Sequence, residues 1–227
     1  MLADFAVLYD SLPYLLKGIL VTLEFIAIAL AIGFFLGVPM AVGQVYGSKR
    51  VSKLISVYVW FFRGLPVLVL LFLFYFGVFS LLRLNFSAFT SAVIVLGLRS
   101  AAYQSQIFRG SIQSIGAGQL LAARSIGMRK YQAVWNIILP QALRLSIPGW
   151  ASEYSGILKD SAVAYAVGVN EILTRSTFIA NRTYKTMAAF LLCALIFIVL
   201  TYIGVKLLEV LNRRVSISGF EGGKTVV

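Results

Sequence analysis

The sequence predicts an all-α integral membrane protein with about five transmembrane helices, and three observations predict it. Of the 227 residues, 60% are hydrophobic and only 12% charged, and the mean hydropathy is +0.91, far from soluble globular composition. Several apolar runs reach the ~20 residues that an α-helix needs to cross the hydrocarbon core. The runs are continuous, whereas a transmembrane barrel would show alternating segments of ~10 residues. Residues 1–227 therefore read as a single transmembrane domain.

The elements follow in order. The opening stretch MLADFAVLYDSLPYLL carries Asp4 and Asp10 where a signal peptide carries positive charge. No small-residue cleavage site follows, so the first span is expected to be retained. That span runs from about Ile19 to Val45, interrupted only by Glu24, and contains GFFLG (Gly33, Gly37) and GQVYG (Gly43, Gly47). Small residues four apart let helices approach closely in lipid. A second run, about Leu54 to Leu82, contains Arg63, and the last covers about Met187 to Val210.

Two polar candidates lie between them. Phe86 to Leu98 is apolar and continues through RSAAYQSQIFRG, and Tyr131 to Leu158 holds Pro140, Pro148 and Glu153. Helices shielded from lipid by neighbours can carry polar groups that face a cavity. These are expected to be the third and fourth spans and the most interior. The stretch AVAYAVGV, 162–169, is too short to cross and is expected to re-enter the membrane or lie at its surface.

Lysine and arginine in the loops set the orientation. With the N-terminus outside, segments 47–53, 109–132 and 206–227 are cytoplasmic and hold eleven basic residues, against six in the outer segments. The short, strongly positive GSKRVSK between two clear spans decides for N-terminus out and C-terminus cytoplasmic.

Composition also excludes. There is no histidine, and the single Cys193 lies in an apolar run. No metal site and no catalytic cluster is expected from the scattered carboxylates. A net charge of +12 in so apolar a chain reads as topology signal and attraction to anionic lipid headgroups, not as nucleic-acid binding.

Charges inside a bilayer mark function by default, since each central one costs ~2.5–3.5 kcal/mol on insertion scales. Arg63 is read as a snorkelling anchor near the inner surface. Glu24 is read as paired within the bundle or placed near the outer surface. Arg99 and Glu153 come from the two most polar helices, with Ser100, Tyr103 and Gln104 within about a turn of Arg99, and Lys159 and Asp160 at the end of the fourth span. This set offers a partner for both the carboxylate and the ammonium of a zwitterion. The alternative is a structural Arg99–Glu153 ion pair that no solute touches. The two combine if the pair forms when the pathway is empty and opens for the solute.

Residues 121–143, LAARSIGMRKYQAVWNIILPQAL, stand out on the cytoplasmic side. Gly116 and Gly118 are expected to break the preceding helix, and a short helix follows, ended by Gly127. Ala122 and Ala123 give it a close-packing face suited to another protein's groove. An interfacial helix resting at the headgroups is the plainer alternative. The spacing resembles the EAA motif of membrane subunits of bacterial and archaeal ABC importers: Ala122, Ala123, Gly127, Ile137, Leu139 and Pro140 fall in register. Leu121 stands where that motif has glutamate. YVWFFRGLPVLVLLFLFYFGV, AAYQSQIFRGSIQSIGAGQ and ASEYSGILKDSAVAYAVGVNEILTRS resemble the corresponding segments of polar amino acid permeases of this superfamily, with Gln106 where an acidic residue is common. The resemblance covers most of residues 20–210.

It implies a type I ABC importer permease fold in the cell's inner, cytoplasmic membrane. The chain itself would not be an enzyme. Two such subunits, identical or different, would line one pathway. Two cytoplasmic ATPase subunits would bind ATP and Mg and drive it, and an extracellular or periplasmic solute-binding protein would deliver an amino acid. The coupling helix, about 118–128, would contact the ATPase through Gly118, Gln119, Ala122, Ala123, Arg124, Ser125, Gly127 and Met128. No cofactor is expected on this chain. Gly223-Lys224-Thr225 ends like a Walker A motif, but Ser218 replaces its first glycine, and only Val226 and Val227 follow where the motif needs a helix; this tail, about 213–227, is expected to be flexible. A secondary transporter, or a permease for another small polar solute, is the competing class. The first would show internal repeats, and no convincing one is present.

Overall fold

The computed structural model describes residues 2–215, and side chains over residues 11–215. Every regular element among them is helical. The Gly223-Lys224-Thr225 match and most of the expected flexible tail lie outside the described residues, although Arg213 to Val215 still belong to the last helix.

Helix α1 spans Leu2–Tyr46, well beyond the apolar run from Ile19. Its 45 residues measure roughly 67 Å at 1.5 Å per residue, twice the hydrocarbon thickness, so it is longer than one crossing requires. Glu24 is exposed and lies about 33 Å of helix from Tyr46.

The second span departs from expectation. Helix α2 (Lys49–Gly64), capped by Ser48, is followed by α3 (Val67–Leu81), and the two are bent by 108°. Pro66 causes the break. It offers no N–H, and its ring pushes Leu65 out of the helical region, to φ −102° and ψ 142°.

The third span is one unbroken helix, α4 (Ala88–Ser114), capped by the Ser87 hydroxyl, which accepts from the Thr90 amide at 3.1 Å. The chain breaks at Ile115 and Gly116, and the short α5 (Ala117–Ser125) follows. Gly118 sits inside α5 and breaks nothing.

The fourth span is also divided: α6 (residues 130–145) and α7 (Ile147–Ser161) meet at Ser146. A π turn, Val134–Ile138, runs directly into the segment that holds Pro140; widening the helix there accommodates a ring that clashes with a regular turn. Residues 162–167 form a 3-10 turn ended by Gly168 at φ +88°. Ala164 and Val169 are buried in the main core, so this stretch tucks into the bundle. Helix α8 (Ile172–Thr183) and the long α9 (Thr186–Val215) complete the chain.

Among the described residues, two helices are each long and apolar enough to cross a membrane, residues 11–46 and Thr186–Val215, and the bent α2–α3 pair makes a third candidate. The core sits where α1 runs along α4. There Gly33 and Gly37 of α1 meet Ser100, Ala101, Gln104 and Ser105, and Gly97 of α4 meets Ile32. Backbones approach because these positions carry no side chain. Helix α9 is fixed to α7 by Tyr154, whose hydroxyl donates to the Leu200 carbonyl at 3.0 Å while its ring lies over Gly204.

The two ends of the bundle differ. At one end, the Lys130 ammonium donates to the Tyr46 carbonyl at 3.0 Å, which places the start of α6, just after α5, beside the α1–α2 turn. At the other, the Ile172 amide donates to Thr22 at 3.4 Å and Arg175 to the Tyr14 carbonyl at 3.2 Å, seating α8 on α1.

Candidate functional site

On α4, Arg99 and Tyr103 lie four residues apart, and Ser100 and Gln104 form the adjoining row. On α7, Glu153 and Asp160 are separated by seven residues, two turns, and so share a face. Helices α4 and α7 run in opposite directions, and their contacts follow an antiparallel register. Trp150 meets Gln104, Glu153 meets Ser100, and Asp160 meets Arg99.

The contacts have a direction. The Trp150 indole N–H donates to Gln104 Oε1 at 2.6 Å. Gln104 Nε2 donates to the Leu30 carbonyl and to Ser100 Oγ, both at 3.0 Å. Ser100 Oγ donates to Glu153 Oε1 at 2.7 Å. An indole only donates and a backbone carbonyl only accepts, so the Gln104 amide has one permitted orientation. Ser100 therefore receives a proton from Gln104 and must turn its own toward Glu153. The circuit starts and ends on α7, passes through α4 and hooks α1 at Leu30. Ser100 and Gln104 are fully buried, and no Cβ fits at Gly33, where it would strike Gln104 Nε2 and Ser100 Oγ. The second oxygen of Glu153 accepts from no described residue.

Arg99 is ion-paired with Asp160, which corrects the expected Arg99–Glu153 pair. The near oxygen of Glu153 is held by Ser100, and the long guanidinium reaches one step further along the antiparallel register. Arg99 Nε is buried without a hydrogen-bond partner. The Arg99 guanidinium lies 4.5 Å from the Tyr103 ring centroid, and that of Arg63 lies 4.8 Å from the same ring, both within cation–π range.

Six of the seven expected pathway residues thus converge: Arg99, Ser100, Tyr103, Gln104, Glu153 and Asp160. Lys159 does not. It is exposed, about 100° around α7 from Asp160, and lines a separate cavity with Leu173, Phe190, Cys193 and Phe197.

Sequence reading does not bring Arg63 or Trp150 into this group. Arg63, read as a snorkelling anchor, has its head beside Tyr103, near the middle of α4. Trp150 is three residues before Glu153, on the same face, a spacing that would have flagged it. Gln106 has a defined task as well. It donates to Gln44 at 2.8 Å and accepts from Arg109 at 2.9 Å, and Gln44 donates to Ser56 at 3.2 Å, which links α4, α1 and α2.

The short α5 ends in a complete Schellman cap. The Met128 amide donates to the Ala123 carbonyl at 3.1 Å and the Gly127 amide to the Arg124 carbonyl at 3.0 Å, with Gly127 at φ +88°. This geometry calls for glycine. Nothing lies within 4 Å of where a Cβ would stand, so the backbone angle, not crowding, sets the requirement. Beyond it, the Gln132 side-chain oxygen accepts from the Arg129 amide at 2.8 Å and starts α6. Gly118, Gln119, Ala122, Arg124, Ser125 and Gly127 are exposed, and Met128 is half-buried. Ala123, expected on the docking face, is buried at 2% exposure because it turns toward its own bundle. Leu121 and Ile126, 69% and 78% exposed, carry the apolar surface instead.

Residues 29–217 match the family described as "Binding-protein-dependent transport system inner membrane component". The chain is 34% identical over 215 residues to the probable amino-acid permease protein YxeN of Bacillus subtilis (strain 168), covering 94% of this chain and 96% of that protein. It is 30% identical over 210 residues to the histidine/lysine/arginine/ornithine transport system permease protein HisM of Escherichia coli (strain K12), covering 88% of each. A crystal structure titled as an amino acid ABC transporter with histidines superposes with a TM-score of 0.83 at 31% identity, over 92% of this chain and 98% of that one. An inward-facing MetNI methionine ABC transporter shares the fold, with a TM-score of 0.79 at 20% identity over 90% and 97% of the two chains.

Proposed function

The chain belongs to the family of binding-protein-dependent transport system inner membrane components and is a permease subunit of an amino acid ABC importer; on that premise we propose how its parts divide the work. The chain crosses the cytoplasmic membrane five times, with the N-terminus outside and α5 and the C-terminus inside. It pairs with a second permease subunit and with two cytoplasmic ATPase subunits, where ATP and Mg bind. A solute-binding protein docks on the outer face.

The observation that carries the coupling role is α5 itself: a nine-residue helix with a full C-terminal cap and an exposed face of Leu121, Ala122, Arg124, Ser125 and Ile126. A mere connector needs no such closure. Seated in a cleft on the ATPase, α5 transmits movement through Gly127 to α6 and then to α7, which carries Glu153 and Asp160. The solute passes along the α4–α7 face, where Glu153 offers its unpartnered oxygen to the ammonium of an amino acid. Lys159 is left out of this pathway; the other six residues either line it or hold what lines it.

Affinity purification of the tagged chain from its native membrane, with identification of what comes with it, tests the assembly. An ATPase with a complete Walker A motif, together with a second permease chain or copy, is the expected result. A chain that purifies alone and transports in ATP-free vesicles would contradict it.

A further inference from the structure

We propose that Arg63, rather than Arg99, receives the carboxylate of the transported amino acid. The inference rests on the pathway reading above and deepens it.

Four charged side chains gather around Tyr103 and Ser100: Arg63, Arg99, Glu153 and Asp160. Their hydrogen bonds divide them into committed and available groups. Arg99 is bonded to Asp160 and is largely enclosed, its side chain 15% exposed. A carboxylate arriving there would have to displace Asp160 and leave that anion alone in the membrane, a costly state. Glu153 has one oxygen held by Ser100 and one available. Arg63 is exposed, and among the described residues no carboxylate lies within ion-pair distance of it; its recorded contact is the Tyr103 ring.

Tyr103 lies 15 residues from Ala88 and 11 from Ser114, so the Arg63 head sits beside the middle of α4, on the stretch that the proposed pathway follows. A guanidinium left facing hydrocarbon there would be costly, whereas one facing the pathway is not. Helix α2 ends one residue after Arg63, at the break before Leu65 and Pro66. A planar guanidinium with unused N–H groups matches a carboxylate in two-pronged geometry. Ring contact with Tyr103 holds it without consuming those donors. One free cation and one half-free anion at one height are what a zwitterion requires, and Arg99–Asp160 is the neutral pair beside them.

The test uses the purified permease–ATPase complex without a solute-binding protein, so that only the membrane site is read. Binding of each of the twenty radiolabelled L-amino acids is measured by scintillation proximity, and the tightest binder is then compared with its α-carboxamide. The wild type should prefer the free acid by at least about tenfold. Arg63→Gln should abolish that preference, Arg63→Lys should keep part of it, and all three should melt at the same temperature because Arg63 holds no ion pair. Arg63→Gln that retains the full preference, while Glu153→Gln loses binding, overturns the inference and leaves the pathway standing. Arg63→Gln and Arg63→Lys that both destabilise the complex yet keep the preference also overturn it. Absence of binding by the wild type, or unchanged binding by Glu153→Gln, overturns the pathway reading itself.

Discussion

Arg99 of α4 is paired with Asp160 of α7, and the pair stands one step along the antiparallel register from the Ser100–Glu153 hydrogen bond on the same two helices. The second interaction leaves one carboxylate oxygen available, whereas the first closes a cation and an anion on each other. The α4–α7 seam therefore has a closed clasp, Arg99–Asp160, beside a half-open one, Ser100–Glu153.

Removing one side of the clasp should harm the protein more than removing both. Asp160→Asn leaves a mostly buried guanidinium without its counter-ion, and breaking such a pair from one side costs about 3–5 kcal/mol. Low yield and early heat aggregation are expected by size-exclusion chromatography. The double variant Arg99→Gln with Asp160→Asn should recover much of the loss. Equal damage in the double and single variants would mean the pair is not the clasp described.

The circuit from Trp150 through Gln104 and Ser100 to Glu153 makes a second prediction. Gln104→Leu leaves the Trp150 N–H without its partner, at about 1–3 kcal/mol, and cuts the tie to the Leu30 carbonyl. Gly33→Ala should reproduce part of this, since its methyl would strike Gln104 and Ser100. Gly110→Ala, on an open stretch of α4 with nothing within 4 Å, should be neutral or slightly stabilising. Thermal melts of the three variants check the order; Gly33→Ala as stable as Gly110→Ala would contradict the close α1–α4 approach.

Much of this was legible in the sequence, and the gaps have physical causes. Helix identity, the third span's continuation through its polar stretch, and the left-handed glycine ending α5 all follow from local pattern. The break in the second span was written in Gly64-Leu65-Pro66 and hidden by the apolar residues around it, because hydropathy sums over a run and ignores a missing N–H. Which carboxylate meets Arg99 depends on the antiparallel register of α4 against α7. Glu153 and Asp160 share a face, so periodicity alone ranks them equally. That Arg63 meets the Tyr103 ring is a contact between α2 and α4, which no pattern within one helix displays.

Orientation can be read directly. With Cys193→Ser as background, single cysteines at Ser48, Ser87 and Ser125 report the α1–α2 turn, the start of α4 and α5. An impermeant thiol reagent added to intact cells should label position 87 alone. Labelling at 48 or 125 would reverse the assignment of the ends.

Gly127 separates backbone geometry from side-chain chemistry. At φ +88°, asparagine is tolerated, whereas a β-branched residue is strained by about 1–2 kcal/mol. Gly127→Asn should therefore bind the ATPase nearly as the wild type does, and Gly127→Val should release it in pull-downs while remaining in the membrane. Equal binding by both would mean that the cap does not shape the docking helix.

ATP-driven uptake in proteoliposomes tests the central claim most directly. The chain is reconstituted with the ATPase and solute-binding protein purified beside it, and radiolabelled amino acid is followed with ATP on the cytoplasmic side. The account predicts accumulation against a gradient that needs ATP hydrolysis and is lost in Gly127→Val, although that variant still inserts and folds. Equal accumulation without ATP, or driven by an ion gradient alone, would contradict it.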